Sequence, residues 1–486
     1  MHVLREAAEV LAQVVQAYWS SNYVSKLAIN HALVAILVVN SWSTPLIHAL
    51  MGLHRMQSVR DQLICRTICL LVDAFLNTSS AVVMPLLVLA PYWSEFNMDG
   101  FVFPLDDVYN DAFFAGLVTE AQMIATGKVS GLLLRLIPHL SVLSCCVAIQ
   151  QFVVTTMSLP TDPVLSSSPT TKSHVHSEKP VWRTVVDFFF GVMGLGVLVI
   201  HTYTYARQSM WPADPLCPLV MAPWFASKHA CAVYTFDCQH LQRTTPMSGD
   251  LAFLEESALI KLNFAHCPAM RMPPDIQRFN NMIGMTIKHL TLVEWSREAA
   301  VTPKHHPSLM YVGIGDVNLT EIPAGLLGTL PPLLQDIEIT RTNLTTIPDE
   351  LDRYWGNVVI LYIEYSGVST IPPSLMRLPL FDLSLIGNNI TDASVLSGLS
   401  PGIGYVSLDH NPLIVMPKAF DAGSDVMVFE FCVESTLVRT VPPELLSSIQ
   451  TLYMLDTPYC ARATTVFTVV DCNASYFASA GKCYIP

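Results

Sequence analysis

Eight cysteines and four N-x-[ST] sequons crowd into the second half of this 486-residue chain. The cysteines are Cys217, Cys231, Cys238, Cys267, Cys432, Cys460, Cys472 and Cys483. The sequons are Asn318, Asn343, Asn389 and Asn473, with a fifth, Asn77, far upstream. An even cysteine set gathered at the two ends of a segment is the pattern of a disulfide-stapled domain in an oxidising compartment, where N-x-[ST] asparagines accept glycans. We expect Cys217, Cys231, Cys238 and Cys267 to pair among themselves. Cys460, Cys472 and Cys483 are expected to close the other end, with Cys432 as a further member of that set. Other chemistry is sparse. His305-His306 and His174-x-His176 are loop pairs of the kind that usually hold no metal. There is no P-loop, G-x-G-x-x-G, H-E-x-x-H, G-x-S-x-G or kinase motif set. The reading is therefore no enzyme, no metal and no cofactor.

The elements that carry these residues come in two halves. Only 13% of the chain is charged, against about 25% in an ordinary soluble domain. Residues 1–206 carry a net charge of −3 and residues 207–486 one of −10. The acidic half has no basic stripe to neutralise phosphates, which excludes nucleic acid as a partner. Residues 1–22 space Val3, Leu4, Val10, Leu11, Val14, Val15, Tyr18 and Trp19 as an amphipathic helix, either a core helix or one lying in a lipid interface. Glu6 and Glu9 interrupt any signal-peptide core. Four apolar stretches follow, at about 27–50, 63–90, 131–153 and 184–206, each long enough to cross a bilayer. Arg55 and Arg60, and Lys172, Lys179 and Arg183, enrich segments 51–62 and 154–183 in positive charge, whereas 91–130 is acidic. That bias places 51–62 and 154–183 in the cytosol and residues 207–486 outside. Residues 158–180 are rich in Pro, Ser and Thr and read as a disordered loop. Asp73, Arg135, His139 and Asp187 lie at membrane depth, where such groups either mark a conduction path or pair helices and snorkel from their ends.

The second half repeats. The clearest unit is Leu334-x-x-Ile337-x-Ile339-x-x-Thr342-x-Leu344-x-x-Ile347-Pro348, and copies start at 259, 282, 309, 334, 358, 380, 403, 428 and 449. In this spacing and pattern, L-x-x-L-x-L-x-x-N/C-x-L, residues 255–465 resemble the leucine-rich-repeat family. The resemblance implies stacked short strands with the apolar positions inward. It also implies an Asn at position nine bonding neighbouring backbones: Asn388 and Asn411 keep it, Cys267, Thr342, Ser366, Thr436 and Thr457 are substitutes, and Leu290 and Val317 cannot serve. Irregular structure is expected around 282–320. With its multi-pass first half and cysteine caps, the arrangement looks like the repeat membrane proteins of oomycetes.

The resulting fold class is an all-α transmembrane helical region followed by an α/β leucine-rich-repeat solenoid with cysteine-rich caps. Its divisions are 1–22, an amphipathic helix; 27–206, the four-helix region; 207–258, an N-terminal cap; 259–465, about nine repeats; and 466–486, a C-terminal cap. Register turns Asp316, Glu338, Arg341, Tyr362, Glu364, Tyr365, Asp382, Tyr405, Asp409, His410, Glu430, Glu434, Tyr453 and Asp456 outward from the concave sheet, an acidic, tyrosine-bearing face suited to a ligand or simply to water. Asn318, Asn343 and Asn389 share position ten and should line one lateral edge. The function expected is a receptor-like or adhesion module at the plasma membrane, repeats outside, that binds a protein or glycan and signals only through a co-receptor or similar partner. The alternatives are a purely structural surface protein and a channel or transporter subunit. The latter rests on a likeness to volume-regulated anion channel subunits, whose repeats face the cytosol.

Overall fold

The computed structural model describes residues 2–53, 59–98, 102–125, 129–157, 181–399, 402–420, 428–462 and 467–473. The loop 158–180, Cys483 and most of the C-terminal cap lie outside them. The chain divides into two compact units. One is Met1–Phe103, Gly116–Pro212 and Met221–Ser227; the other is Pro104–Ala115, Ala213–Val220 and Lys228–Pro486.

The first unit is helical. Its helices are α1 (His2–Tyr23), α2 (Leu27–Leu53), α3 (Val59–Thr78), α4 (Met84–Trp93), most of α6 (Asp111–Ile124), α7 (Val129–Met157) and α8 (Val181–Gln208); the short α5 (Leu105–Val108) belongs to the other unit. A π-helical turn, Ser79–Val83, joins α3 to α4 just before Pro85, which has no N–H to donate to the preceding turn. Among the described residues four stretches are long and apolar enough to cross a membrane: Leu27–Ile47, Thr67–Trp93, Gly131–Gln151 and Thr184–Gln208. The unit has an apolar core around Val10, Val34, Leu37 and Val197, yet it also buries polar groups and turns many apolar ones outward. Phe75, Leu133, Leu143 and Phe188 are exposed, while Glu9, Gln13, Asn40, Asn77 and Ser141 are buried. Glu9 accepts from Asn40, Asn77 and Ser141, so one carboxylate links α1 to α2, α3 and α7. Gln13 donates to Asn77 and accepts from Asn40. The polar stripe of α1 therefore faces the bundle, and Leu11 and Tyr18 face outward. Arg135 donates to the Met123 carbonyl at the end of α6, so it pairs helices. Asn77 is fully buried and offers no glycan acceptor.

The second unit is one continuous sheet. Its strands are β1 (Leu219–Val220), β2 (Cys231–Asp237), β3 (Lys261–Ala265), β4 (Met270–Arg271), β5 (Gly284–Glu294), β6 (Tyr311–Asn318), β7 (Asp336–Thr340), β8 (Ile360–Glu364), β9 (Asp382–Ser384), β10 (Tyr405–Ser407), β11 (Val428–Cys432), β12 (Ile449–Tyr453) and β13 (Val470–Asp471). Apart from antiparallel β1 and the side-pairing of β4 on β5, each strand lies parallel beside the next. Position-four residues pair across all nine units, from Leu262 and Met285 through Ile337 and Leu361 to Phe431 and Leu452, and all are fully buried. No single unit could bury that face alone. This is the architecture of a leucine-rich-repeat solenoid.

Every unit turns at the same place. His266, His289, Asp316, Arg341, Tyr365, Gly387, His410, Ser435 and Asp456 hold position eight, and all have φ between 45° and 66°. This left-handed residue swings the chain off the strand and aims position nine into the core. There Asn388 donates to the carbonyls of Ile363 (2.7 Å) and Leu385 (2.9 Å), and Asn411 to those of Leu385 and Leu408 (both 2.9 Å). Thr342 instead bonds the Ser366 hydroxyl at 2.8 Å. Cys267 is disulfide-bonded to Cys238 rather than serving as a ladder group, and Cys217 pairs with Cys231 and Cys460 with Cys472.

Three expectations need correction. Cys432 is a free, buried thiol on β11 and joins no disulfide. Among the described residues the convex side carries 3₁₀ turns such as Pro274–Arg278, Leu351–Arg353 and Pro373–Arg377, with an α-helix only at α9 (Pro443–Leu446), so the α/β description does not fit them. The Ile-Pro pairs explain this: proline fixes an extended-to-turn entry, and too few residues remain before the next strand for an α-helix. The stretch around 282–320 is not irregular but holds the longest strands, β5 and β6. Lacking a polar ninth residue, Leu290 pairs with Val317 and Thr291 with Asn318, so strand pairing carries on past the turn.

Asn411→Ala should destabilise the sheet by about 2–3 kcal/mol, because the Leu408 carbonyl and the Ile390 N–H both lose their buried Asn411 partner, while the Leu385 carbonyl keeps Asn388. Thr342→Ala, which loses the Ser366 pair and a long bond from the Leu344 N–H, should cost less, about 1 kcal/mol. Urea midpoints of the full chain measure both; equal costs would contradict the ladder's role.

Candidate functional site

In-register parallel stacking sets like positions of neighbouring units about 4.8 Å apart. Positions three, five and seven form the concave face, and from β7 to β11 they carry Asp336, Glu338, Glu364, Asp382, Asp409, Glu430 and Glu434. Neither a solvated face nor a plainly outward one is observed. Glu338, Glu364, Asp382, Asp409 and Glu434 are each at most 9% exposed. Tyr362, Tyr405, Glu430 and Arg341 are half-buried, and Tyr365 and His410 are exposed. A short carboxylate between taller neighbours, such as Asp409 beyond Ile386, is walled in by the stack itself.

Some of these groups find partners. Tyr362 donates to Asp382 (2.9 Å), Ser384 donates to Glu364, and the Glu434 amide donates to Asp409 Oδ1 (2.5 Å). Others do not: Asp409 Oδ2, Asp336 Oδ1 and the Thr340 hydroxyl are buried with no hydrogen-bond partner. The electrostatics follow. Burial raises Asp409 to about 8, opposed by the Glu434 amide and reinforced by the Glu434 and Glu364 carboxylates. Burial and the adjoining Glu338 and Asp382 hold Asp336 well above the usual carboxylate range, and burial also lifts Glu338. Burial, then Asp409, pushes the Cys432 thiol up. The Arg341 guanidinium does not relieve the face. It grips Asp316 at 2.5 and 2.7 Å along the position-eight edge, and this holds Asp316 low.

The N-terminal end of the same face is built differently and is already occupied. Residues 104–115, drawn from the acidic segment between α4 and α7, pack within the sheet unit. Asp111 bridges Lys261 Nζ (2.7 Å) and Asn263 Nδ2 (2.5 Å) on β3, and Tyr109 donates to Glu338 (3.0 Å). The sequence reading missed Tyr109 and Asp111, since nothing local marks a loop for docking on a distant sheet. It also missed Lys261, Asn263, Asp336 and Thr340, which the register of positions three, five and seven could have supplied. An aromatic cluster flanks the acidic strip: Phe381, Tyr405 and Phe429 meet with ring centroids 5.5–6.5 Å apart. A Cβ at Gly404 would lie 2.8 Å from Phe381, so glycine lets the rings close. Asn318, Asn343, Asn389 and Asn473 are all exposed.

Asp409 ties stability to pH. Its proton is held more tightly in the folded chain, so the stability that Asp409 contributes is greatest at low pH and falls as pH rises from 3.8 towards about 8. This one group should contribute a slope of up to about 1.4 kcal/mol per pH unit. Hydrogen exchange at β10 and β11 should quicken across that window in the native chain beyond the intrinsic pH effect and do so less in Asp409→Asn; identical pH profiles would refute the assignment.

No family model and no curated protein matches the chain. Solved structures do. The chain is similar to a leucine-rich-repeat protein of Leptospira interrogans, with a TM-score of 0.36 and 19% identity over 44% of this chain and 53% of that one. It is similar to InlP of Listeria monocytogenes, with a TM-score of 0.33 and 14% identity over 46% and 62%. It is similar also to the structure of an octameric complex of Latrophilin 3, Unc5D and the repeats of FLRT2, with a TM-score of 0.35 and 17% identity over 46% and 66%. The chain thus spans between about half and two thirds of these structures' length. The scores are low, and the repeat assignment rests on the nine in-register units.

Proposed function

We propose that the protein is a multi-pass membrane protein that presents its repeat unit outside the cell as a receptor-like or adhesion module, binding a protein or glycan ligand on the concave face. The observation that carries the binding role is the concave acidic strip. A merely solvated face would leave its carboxylates in water; here five are buried and hydrogen-bonding capacity is left unmet at Asp409 and Thr340. Unpaired buried polar atoms cost about 1–3 kcal/mol each, a cost that a ligand removes.

The many apolar side chains that the helical unit turns outward support the membrane, since they suit lipid and not water. If the four stretches span the membrane, residues 91–130 and the repeats would share one side, which is in keeping with residues 104–115 belonging to the repeat unit. The charge of the loops, the three disulfides and the exposed sequons all favour the outer side for both. Glycans on Asn318, Asn343 and Asn389 would line the lateral edge at position ten and leave the concave face clear.

In sealed right-side-out vesicles, added protease should digest the repeats, and glycosidase should shift the chain's mass at those asparagines. Repeats protected together with the cytosol would overturn the orientation. Replacing Tyr362, Glu364 and Tyr365 with Ala should abolish capture of a native ligand without unfolding the sheet; unchanged capture would remove the concave site.

A further inference from the structure

We infer that the acidic strip between β7 and β11 is a docking track for an extended peptide carrying arginine at every third residue. The inference rests on the concave-face reading above and names the ligand's chemistry.

Charge complementarity is the first argument. From Leu334 to Leu455, positions three, five and seven contain no Lys, Arg or His, while Asp336, Glu364, Asp382, Asp409, Glu430 and Glu434 stand there. The face's own cations, Lys261 and Lys288, lie at the other end, and Lys261 is held by Asp111. The second argument is unmet capacity. Asp409 is fully buried with Oδ2 unpartnered, and the Thr340 hydroxyl, 5% exposed, is unpartnered on the same row of positions. A guanidinium supplies several N–H donors in a planar fork and satisfies such acceptors directly.

Spacing is the third argument. On position three the acids alternate with Ile360 and Tyr405: Asp336, Asp382 and Glu430 fall in every second unit. Strands about 4.8 Å apart put these carboxylates about 10 Å apart. A polyproline-type chain rises about 3.1 Å per residue, so every third side chain returns to the same face at nearly that interval. Arginine is favoured over lysine by the Phe381, Tyr405 and Phe429 cluster, whose exposed rings (Phe381 42%, Phe429 39%) offer faces on which a guanidinium stacks. The chain's own strap shows that the face accepts a peptide, since Tyr109 already bonds Glu338. A divalent ion fits poorly: among the described residues the sole cluster with metal-like convergence is Cys217, His229 and Cys231, and its two thiols form a disulfide.

The test uses the full chain in lipid nanodiscs and three synthetic peptides: arginine at every third position, the same composition with the arginines contiguous, and glutamate in place of arginine. The first should bind, the second more weakly, and the third not at all. Asp409→Asn, which keeps the side chain's shape, should weaken the first peptide by about tenfold, as should Glu434→Gln. Equal binding of the contiguous or glutamate peptide, or an affinity unchanged in both variants, would overturn the track. Calcium that competes stoichiometrically with the peptide would point to an ion site and overturn it too. If no peptide binds while a native ligand is still lost from the Tyr362, Glu364 and Tyr365 variant, the ligand class falls and the binding face stands.

Discussion

Everything in the repeat unit depends on parallel stacking in strict register. One short strand per unit, paired with the same positions of the next, makes each position a continuous row. Inward rows become a hydrophobic spine, and the left-handed residue at position eight closes every unit on the same plan. Outward rows are equally continuous. An acid placed on the concave side meets its neighbours at strand spacing whatever else the fold does, and the stack removes it from water. Burial and mutual repulsion then raise Asp336, Glu338 and Asp409 together. A row of this kind is a standing cost of the architecture, offset only by protonation or by a cationic partner.

The two ends of the face meet that cost differently. At the N-terminal end the chain supplies its own counterpart, with Asp111 against Lys261 and Asn263. Towards the C-terminus Tyr362, Ser384 and the Glu434 amide meet it in part, and Asp409 Oδ2 and the Thr340 hydroxyl stay buried with no hydrogen-bond partner. The helical unit shows the opposite economy. Glu9 is just as buried, yet Asn40, Asn77 and Ser141 donate to it, so its role is to join helices. A satisfied buried carboxylate holds a structure together; an unsatisfied one on an open architectural face awaits something.

The repeat register and the four apolar helices were legible in the sequence because each rests on a period: 21–27 residues for the units and a long unbroken apolar run for the helices. Asn388 and Asn411 were legible for the same reason. The position-eight turn was not, since histidine, aspartate, arginine, tyrosine, glycine and serine all occupy it and only the backbone shares a property. The concave residues were placed on the right rows and read as a face for a ligand or for water, but their burial was not legible, because a side chain's direction follows from register while its burial depends on the height of its neighbours. Tyr109 and Asp111 were invisible, as a contact spanning more than a hundred residues leaves no local trace. Cys432 looked like its paired relatives by composition, yet its position five on β11 puts it on the concave side, away from the caps.

The central claim is that buried Asp409, on the concave strip, holds its proton until a cation replaces it. Calorimetry of the arginine-bearing peptide near neutral pH, repeated in buffers of different ionisation enthalpy, reads that exchange directly. The account predicts that the observed heat changes with the buffer, with protons released on binding and fewer released by Asp409→Asn. Binding with a heat independent of the buffer would contradict it.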